Sequence, residues 1–290
     1  MVTPFYYPIE GTTSPLFHNQ TLILPAVSIG SVPQLAVDLL LHHKELQLTK
    51  VATLDPSFCF AFVGPSDSTS HHHDHDLTTP LEVYSNGTLT VIQQRSPVFK
   101  SREIDYISAL TNWILTSQFK QILWLTSIDA AARIDPEFST PILSLSPSPL
   151  PSGGRATPLL SSIVNSFPTF NPVPQTNGDS FEHIPHIPGS LLTRKLLYHI
   201  KQHNNKNQDS NTINLVALLY FAAEGDTRQD AHFLANLILN LLFTTTNTTS
   251  TYNHSSHIQK QWLLENQPPL QQPNSWSALF GKMAESSLYA

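Results

Sequence analysis

The sequence predicts an α/β domain on a largely parallel sheet, and three stretches carry that prediction. Leu22-Ile23-Leu24-Pro25-Ala26-Val27-Ser28-Ile29-Gly30 is apolar and β-branched, too short for a helix, and closes on a glycine. Ser31-Val32-Pro33-Gln34 then opens a helical pattern. Ser31 suits an N-cap, and Pro33 sits in a first turn that has no use for its backbone N–H. Leu35, Leu39 and Leu40 recur at helical spacing, with Ala36 and Val37 widening the apolar face as far as Leu41. The plan returns late in the chain. Ile213–Tyr220 reads as an apolar strand, a turn holds Gly225, and a helix follows from about 228 to 243. Between the two units, an amphipathic helix over 102–119 leads into a buried strand over 121–127. Strands buried on both faces and alternating with helices make parallel sheets. In such sheets ligands gather at the strand C-terminal ends, so Ser28–Gln34 is the first place to look for a site.

The remaining elements follow in order. Residues 1–20 read as an irregular arm. Lys50–Leu54 is a second strand, leading into Phe58-Cys59-Phe60-Ala61-Phe62-Val63-Gly64, expected as a buried loop or short strand near the sheet end. Residues 66–79 carry His71-His72-His73-Asp74-His75-Asp76. Metal ligands need a scaffold and a second shell to hold them, so this tract reads as a solvated insertion. Leu81–Tyr84 and Leu89–Gln93 flank Asn86-Gly87, the strongest short hairpin signal, and predict an antiparallel hairpin added to the sheet. In the 102–119 helix, Ile104, Ile107, Leu110, Ile114 and Leu115 are expected to face inward. Residues 140–180 are rich in Pro, Ser and Thr and read as an insertion over a few short packed pieces. A helix is expected over Leu191–His199, then a polar linker over 202–212. The late helix is expected to bury Ala231, Leu234, Leu237, Ile238 and Leu241. A Thr/Asn-rich linker covers 244–256, and Ile258–Leu264 reads as a short helix. Trp276, Leu279 and Phe280 read as a small apolar anchor. The organisation is a single domain over 1–281, interrupted by low-complexity loops, followed by a flexible tail over 282–290.

Composition narrows the function classes. A net charge of −6, with only 12% charged residues, gives no basic stripe for nucleic acid. A single cysteine, Cys59, excludes an internal disulfide framework and a cysteine metal cluster. The start of the chain has no signal-peptide pattern, and no run approaches the length of a membrane span. A soluble, intracellular protein with no membrane partner is expected. On that ground, Asn86-Gly87-Thr88 and Asn247-Thr248-Thr249 are chance matches to glycosylation acceptors.

Candidate chemistry is sparse. Gly30 and Gly225 stand singly at their turns, with neither a phosphate loop nor a dinucleotide fingerprint. Ser28 lacks the first glycine of a nucleophile elbow. Cys59 among phenylalanines reads as structural, since burial makes a thiol inert. Glu224 and Asp226 flank Gly225 and read as partners of a helix N-terminus rather than as paired catalytic carboxylates. None of the 14 His residues falls in a metalloprotease-like array. No catalytic residue, metal site or cofactor is expected. Leu288-Tyr289-Ala290 stands apart: an apolar plug, a rigid amphipathic ring and a terminal carboxylate suit capture of a C-terminal peptide in a partner's pocket.

Several of these stretches resemble the PAC2 family of proteasome assembly chaperones: Leu22 through Leu40, Ile187-Pro188-Gly189 with its following helix, Glu224-Gly225-Asp226 with its helix, and Asn274-Ser275-Trp276-Ser277-Ala278-Leu279-Phe280-Gly281. They occur in the family's order and span most of the chain. The resemblance implies a Rossmann-like three-layer α/β/α fold without catalysis, in the cytoplasm with the nucleus as a second location. It implies a heterodimer with proteasome assembly chaperone 1 and a role in building the α-subunit ring of the 20S proteasome. Family members ending in a hydrophobic–Tyr–any-residue motif insert it between α subunits, where a pocket lysine meets the carboxylate. Leu288, Tyr289 and Ala290 match that motif position by position. The competing reading is a nucleoside-phosphorylase-like enzyme on the same fold, which would need a phosphate cradle and a general acid at Ser28–Gln34 or Glu224–Asp226. A third is a dimerisation module unrelated to proteasomes.

Overall fold

The computed structural model describes residues 4–9, 17–65, 77–150, 157–172, 184–207, 212–246 and 270–279. Among them the strands are β1 (Tyr6–Pro8), β2 (Thr21–Pro25), β3 (Thr49–Leu54), β4 (Gly64–Pro65), β5 (Leu77–Thr78), β6 (Leu81–Ser85), β7 (Leu89–Gln94), β8 (Gln121–Asp129), β9 (Ile142–Leu145) and β10 (Leu215–Ala222). The helices are α1 (Val32–Leu41), α2 (Glu103–Ser117), α3 (Pro158–Ser166), α4 (Thr193–Lys206) and α5 (Arg228–Thr246). Eight strands form one sheet in the order β1-β3-β6-β7-β2-β8-β10-β9, and β4 pairs with β5 apart from it. The centre, β7-β2-β8-β10, is parallel. The flanks are antiparallel: β9 on β10, and β6, β3 and β1 on the other side. The expected hairpin is present, and its second strand is part of the parallel centre.

Alternation along the central strands separates two cores, which makes the three layers. Ile23, Leu123, Leu125, Val216 and Leu218 face one way and pack with α1, α3 and α5. Leu22, Leu24, Ile122, Trp124 and Leu219 face the other way and pack with α2 and α4. Period-2 pointing of strand side chains produces this sorting from near-continuous apolar runs.

Several local expectations need correction. The opening strand is shorter than the apolar run, because the chain turns through a 3-10 turn at Ile29–Ser31 before α1. Ile104 is 75% exposed. The buried stripe of α2 is Tyr106, Ile107, Leu110, Trp113 and Ile114, and a 100° step puts Ile104 well off it. Phe58 and Cys59 are buried as expected, but Phe60, Phe62 and Val63 are exposed where the chain leads into β4. Leu191 is exposed at φ 46°, so α4 begins two residues later and runs on to Lys206. In α5, Ala231, Leu234, Ile238 and Leu241 are buried, with Leu237 half-buried against the same core. Within 140–180 the packed pieces are an edge strand, β9, and the helix α3. The expected Ile258–Leu264 helix lies outside the described residues.

Candidate functional site

The strand C-terminal ends, where a ligand crevice is expected, are filled by the chain itself. Ser28 is buried; its hydroxyl donates to Ala26 O at 3.3 Å and accepts the Ser127 N–H at 2.9 Å. Gly30 adopts φ 68°, and a Cβ there would lie 2.7 Å from Ala223 O. That close approach requires glycine. The Thr227 hydroxyl donates to Gly30 O at 2.6 Å, joining the turn before α1 to the turn before α5. A third segment completes the closure. Ile29 N–H bonds Gly189 O at 3.0 Å, and Asp129 N–H bonds Pro188 O at 2.9 Å. Gly189, at φ 77°, leaves only 2.8 Å between its would-be Cβ and Ile29 Cγ2. On the α4 side, Trp124 Nε1–H donates to Thr193 Oγ1 at 3.1 Å, and that hydroxyl donates to Thr126 Oγ1 at 3.0 Å. The Ser127 hydroxyl is buried beside this chain without a hydrogen-bond partner. One orphan hydroxyl is not a phosphate cradle, which needs several converging backbone N–H groups.

The other sequence candidates fall into place around this closure. Ser31 occupies the N-cap of α1 at φ 52° but makes no side-chain capping bond, while Pro33 sits in the first turn as expected. Asp226 accepts the Arg228 N–H at 3.2 Å and pairs with its guanidinium. That hydrogen bonding holds its carboxyl below the ordinary carboxylate range, as a group serving a helix start. Glu224 is exposed. Cys59 is buried, and burial, with Asp55 nearby, pushes its thiol up to about 12. Such a thiol is not a nucleophile. Among the described residues no group of three or more His, Cys, Asp or Glu could hold a metal ion, and no helix is long and apolar enough to cross a membrane. The His71–Asp76 tract and the predicted binding residues Leu288, Tyr289 and Ala290 lie outside the described residues.

What sequence reasoning missed is a buried ionic network on the α1 face of β6 and β7. Asp38, in the middle of α1, is 4% exposed. Its Oδ1 accepts the Gln93 side-chain amide and lies 2.9 Å from an Arg95 guanidinium nitrogen. Its Oδ2 accepts the Trp276 indole N–H at 3.4 Å, across 238 positions of sequence. Burial works against the Arg95 charge, but Asp38, with Glu82 beyond it, outweighs that and raises its pKa. Glu82 is itself buried, pairs with Lys50 at 2.6 Å, and accepts the Thr79 N–H at 3.0 Å and the Tyr84 hydroxyl at 3.1 Å. Burial, and Glu82 beside it, push the Tyr84 hydroxyl above its ordinary range. Gln34 and Gln93 tie α1 to β7 by reciprocal bonds of 3.0 Å, from the Gln34 amide to Gln94 O and from the Gln93 amide to Gln34 O. The available signal was a lone Asp inside an otherwise apolar helical run. Of the expected anchor, Trp276 is 2% exposed in the α1/α5 core and Leu279 is exposed, while Phe280 lies outside the described residues.

Comparison with known proteins shows what the chain as a whole is similar to. Residues 22–279 fit the model of the PAC2 family. The chain is 30% identical over 221 residues to proteasome assembly chaperone 2 of Nematostella vectensis, covering 74% of this chain and 86% of that protein. It is 26% identical over 292 residues to proteasome assembly chaperone 2 of Homo sapiens, covering 96% and 98%. The fold is shared with Pyrococcus furiosus PbaA, an archaeal homolog of proteasome-assembly chaperone, at TM-score 0.55 and 12% identity over 89% of this chain and 90% of PbaA. PbaB of the same organism, an archaeal proteasome activator, superposes at TM-score 0.50 and 11% identity over 91% and 97%.

Proposed function

The chain belongs to the PAC2 family, and from that premise we propose that it is a non-catalytic chaperone of 20S proteasome assembly. In this reading it works as a heterodimer with proteasome assembly chaperone 1, in the cytoplasm and the nucleus, and binds the α-subunit ring. The observation that carries it is the near end-to-end alignment with proteins named proteasome assembly chaperone 2, the human one over 96% of this chain and 98% of its own length. The filled strand ends support the non-catalytic part. A nucleoside-phosphorylase-like enzyme needs backbone donors free for phosphate, whereas here Ile29 N–H and Asp129 N–H are spent on Gly189 O and Pro188 O.

We assign α-ring binding to Leu288, Tyr289 and Ala290. Leu288 supplies an apolar plug, Tyr289 rigid area with a hydroxyl, and Ala290 the carboxylate that a pocket cation meets. Affinity capture of the tagged full chain followed by mass spectrometry should return the partner chaperone and proteasome α subunits. Deleting Leu288–Ala290 should lower affinity for α subunits roughly 30-fold or more, the scale of an interface hot spot, and leave partner recovery unchanged. Undiminished α-subunit binding would sink the motif's role. A capture that returns the partner without any proteasome subunit would favour the dimerisation module instead.

A further inference from the structure

The strand C-terminal ends are closed, yet the turns that close them leave large apolar side chains in water. Four stand out: Ile134, the least exposed at 47%, Phe138, the most at 66%, and Leu191 and Phe233 between them. Ile134 and Phe138 sit on the connection from β8 to β9, which is bound to Phe221 at both ends. The Arg133 guanidinium lies 4.4 Å from the centre of the Phe221 ring, and the Phe221 N–H donates to Pro141 O at 3.1 Å. Between them the Glu137 carboxylate accepts the Ile134 N–H at 3.1 Å, and the Glu137 N–H donates to Ile134 O at 2.8 Å. A preorganised turn therefore holds both side chains out, which lowers the entropic cost of binding. Leu191 lies two residues past Gly189, which packs on Ile29 and Asp129. It takes φ 46°, a conformation that strains a bulky residue; the other described non-glycine residues at positive φ are Asn19, Ser31, Gln47 and Gln118. Backbone strain that keeps an apolar side chain in water points to a use for that side chain. Phe233 borders the same end from α5, its ring 6.2 Å from that of Tyr220.

We propose that Ile134, Phe138, Leu191 and Phe233 form the surface through which this chain pairs with its partner chaperone, and that the partner meets them with an apolar patch bordered by Lys or Arg. The assignment rests on the heterodimer reading above. Area and charge both specify the occupant. The four side chains present on the order of 400 Å² to water, the size of a functional patch rather than of scattered apolar residues. A stable dimer buries about 800 Å² per partner, a little over half of it apolar, so the four supply most of what one requires. The charge around them is one-sided. Asp129, Asp135, Glu137 and Glu224 lie in the turns after β8 and β10, against Arg133 and an Arg228 that already pairs with Asp226. An acidic border steers a basic partner into place, whereas a second copy of this chain would set like charges against each other.

The test measures affinity of the full chain for purified proteasome assembly chaperone 1, with urea denaturation of each variant as the check on folding. Phe138→Ser should weaken binding about 30-fold, the scale of an interface hot spot. Leu191→Gly removes the side chain and relieves the positive φ, so stability should stay near the native value while binding falls about 10-fold. Asp135→Lys should slow association and flatten its dependence on salt. Ile104→Ser alters another exposed apolar residue, at the start of α2, and should leave binding unchanged. A loss as large in Ile104→Ser as in the rim variants would overturn the location. If the native chain binds its partner and the rim variants bind as tightly, the surface is wrong and the heterodimer reading stands. If the native chain does not bind, the heterodimer reading fails and the surface assignment with it. Rim variants that lose self-association or α-subunit binding instead, with affinity for the partner intact, would give the surface to another occupant and overturn its assignment to the partner.

Discussion

The strand ends and the α1–β7 face are both sealed, but by different chemistry. At the strand ends the seal is uncharged: glycines at positive φ let the backbones of three turns approach, and N–H and hydroxyl groups of Ile29, Asp129 and Thr227 complete it. On the α1–β7 face the seal is ionic, with Asp38 bridging Arg95, Gln93 and Trp276. A neutral seal depends on space, because each of its bonds is worth only about 1 kcal/mol. An ionic seal depends on completeness, because one missing partner leaves a buried charge unpaired.

The largest effect should therefore come from breaking the ionic seal on one side. Asp38→Leu leaves the Arg95 guanidinium in place without its acid and should cost about 3–5 kcal/mol in urea denaturation. Changing both residues, Asp38→Leu with Arg95→Leu, should recover most of that loss, since a buried pair replaced by apolar groups of similar volume is often close to neutral. A double variant as unstable as the single one would show that the network contributes more than paired charge.

Next in size is loss of space at the neutral seal. Gly30→Ala meets both a positive φ and the Ala223 carbonyl 2.7 Å away, so it should cost about 2–3 kcal/mol. Gly225→Ala keeps the unfavourable φ of 132° but meets nothing within 4 Å, and about 1 kcal/mol is expected. Equal losses at the two glycines, measured by the same denaturation, would mean that backbone conformation and not close approach makes the seal.

The same contrast explains what could be read from the sequence. Long apolar runs with turn chemistry are local signals, so β2–α1, β10–α5 and the Asn86-Gly87 hairpin were legible from their own residues. The meeting of Gly30, Gly189 and Thr227 was not. Each is an ordinary turn residue, and only the sheet order brings turns some 160 and 200 positions away onto Ile29 and Gly30. Asp38 was visible only as an oddity, because its partners Gln93, Arg95 and Trp276 lie in elements whose pairing no local pattern encodes. β9 and α3 were hidden for a compositional reason: Pro and Ser around them mask short packed segments. The proposed binding residues Leu288, Tyr289 and Ala290 rest on the sequence alone, since they lie outside the described residues.

The smallest effect separates the two seals by pH. The Trp276 anchor contains a titratable group, His232, whose pKa burial lowers from its ordinary 6.5. The unfolded chain then binds that proton more tightly than the folded one. The stabilising contribution is complete above pH 6.5 and is lost as pH falls through 6.5 toward the lower folded value. His232 packs edge-on against the Trp276 ring, and its Nε2 lies 2.9 Å from the Gln272 amide nitrogen. A protonated ring would set two donors against each other there, so acid should loosen the segment around Trp276 before it loosens Gly30 or Gly189. Burial lowers His43 and His199 as well, so global stability declines over the same range and a local measurement is needed. Amide hydrogen exchange at Gln272–Trp276, corrected for intrinsic rates, should quicken between about pH 7 and 5.5. Exchange at Ile29 and Asp129 should quicken less, by no more than the global decline. His232→Phe keeps a ring against Trp276 without a titrating nitrogen and should abolish the difference. Parallel quickening at both places in the native chain would mean that acid acts on the whole fold and not on the anchor.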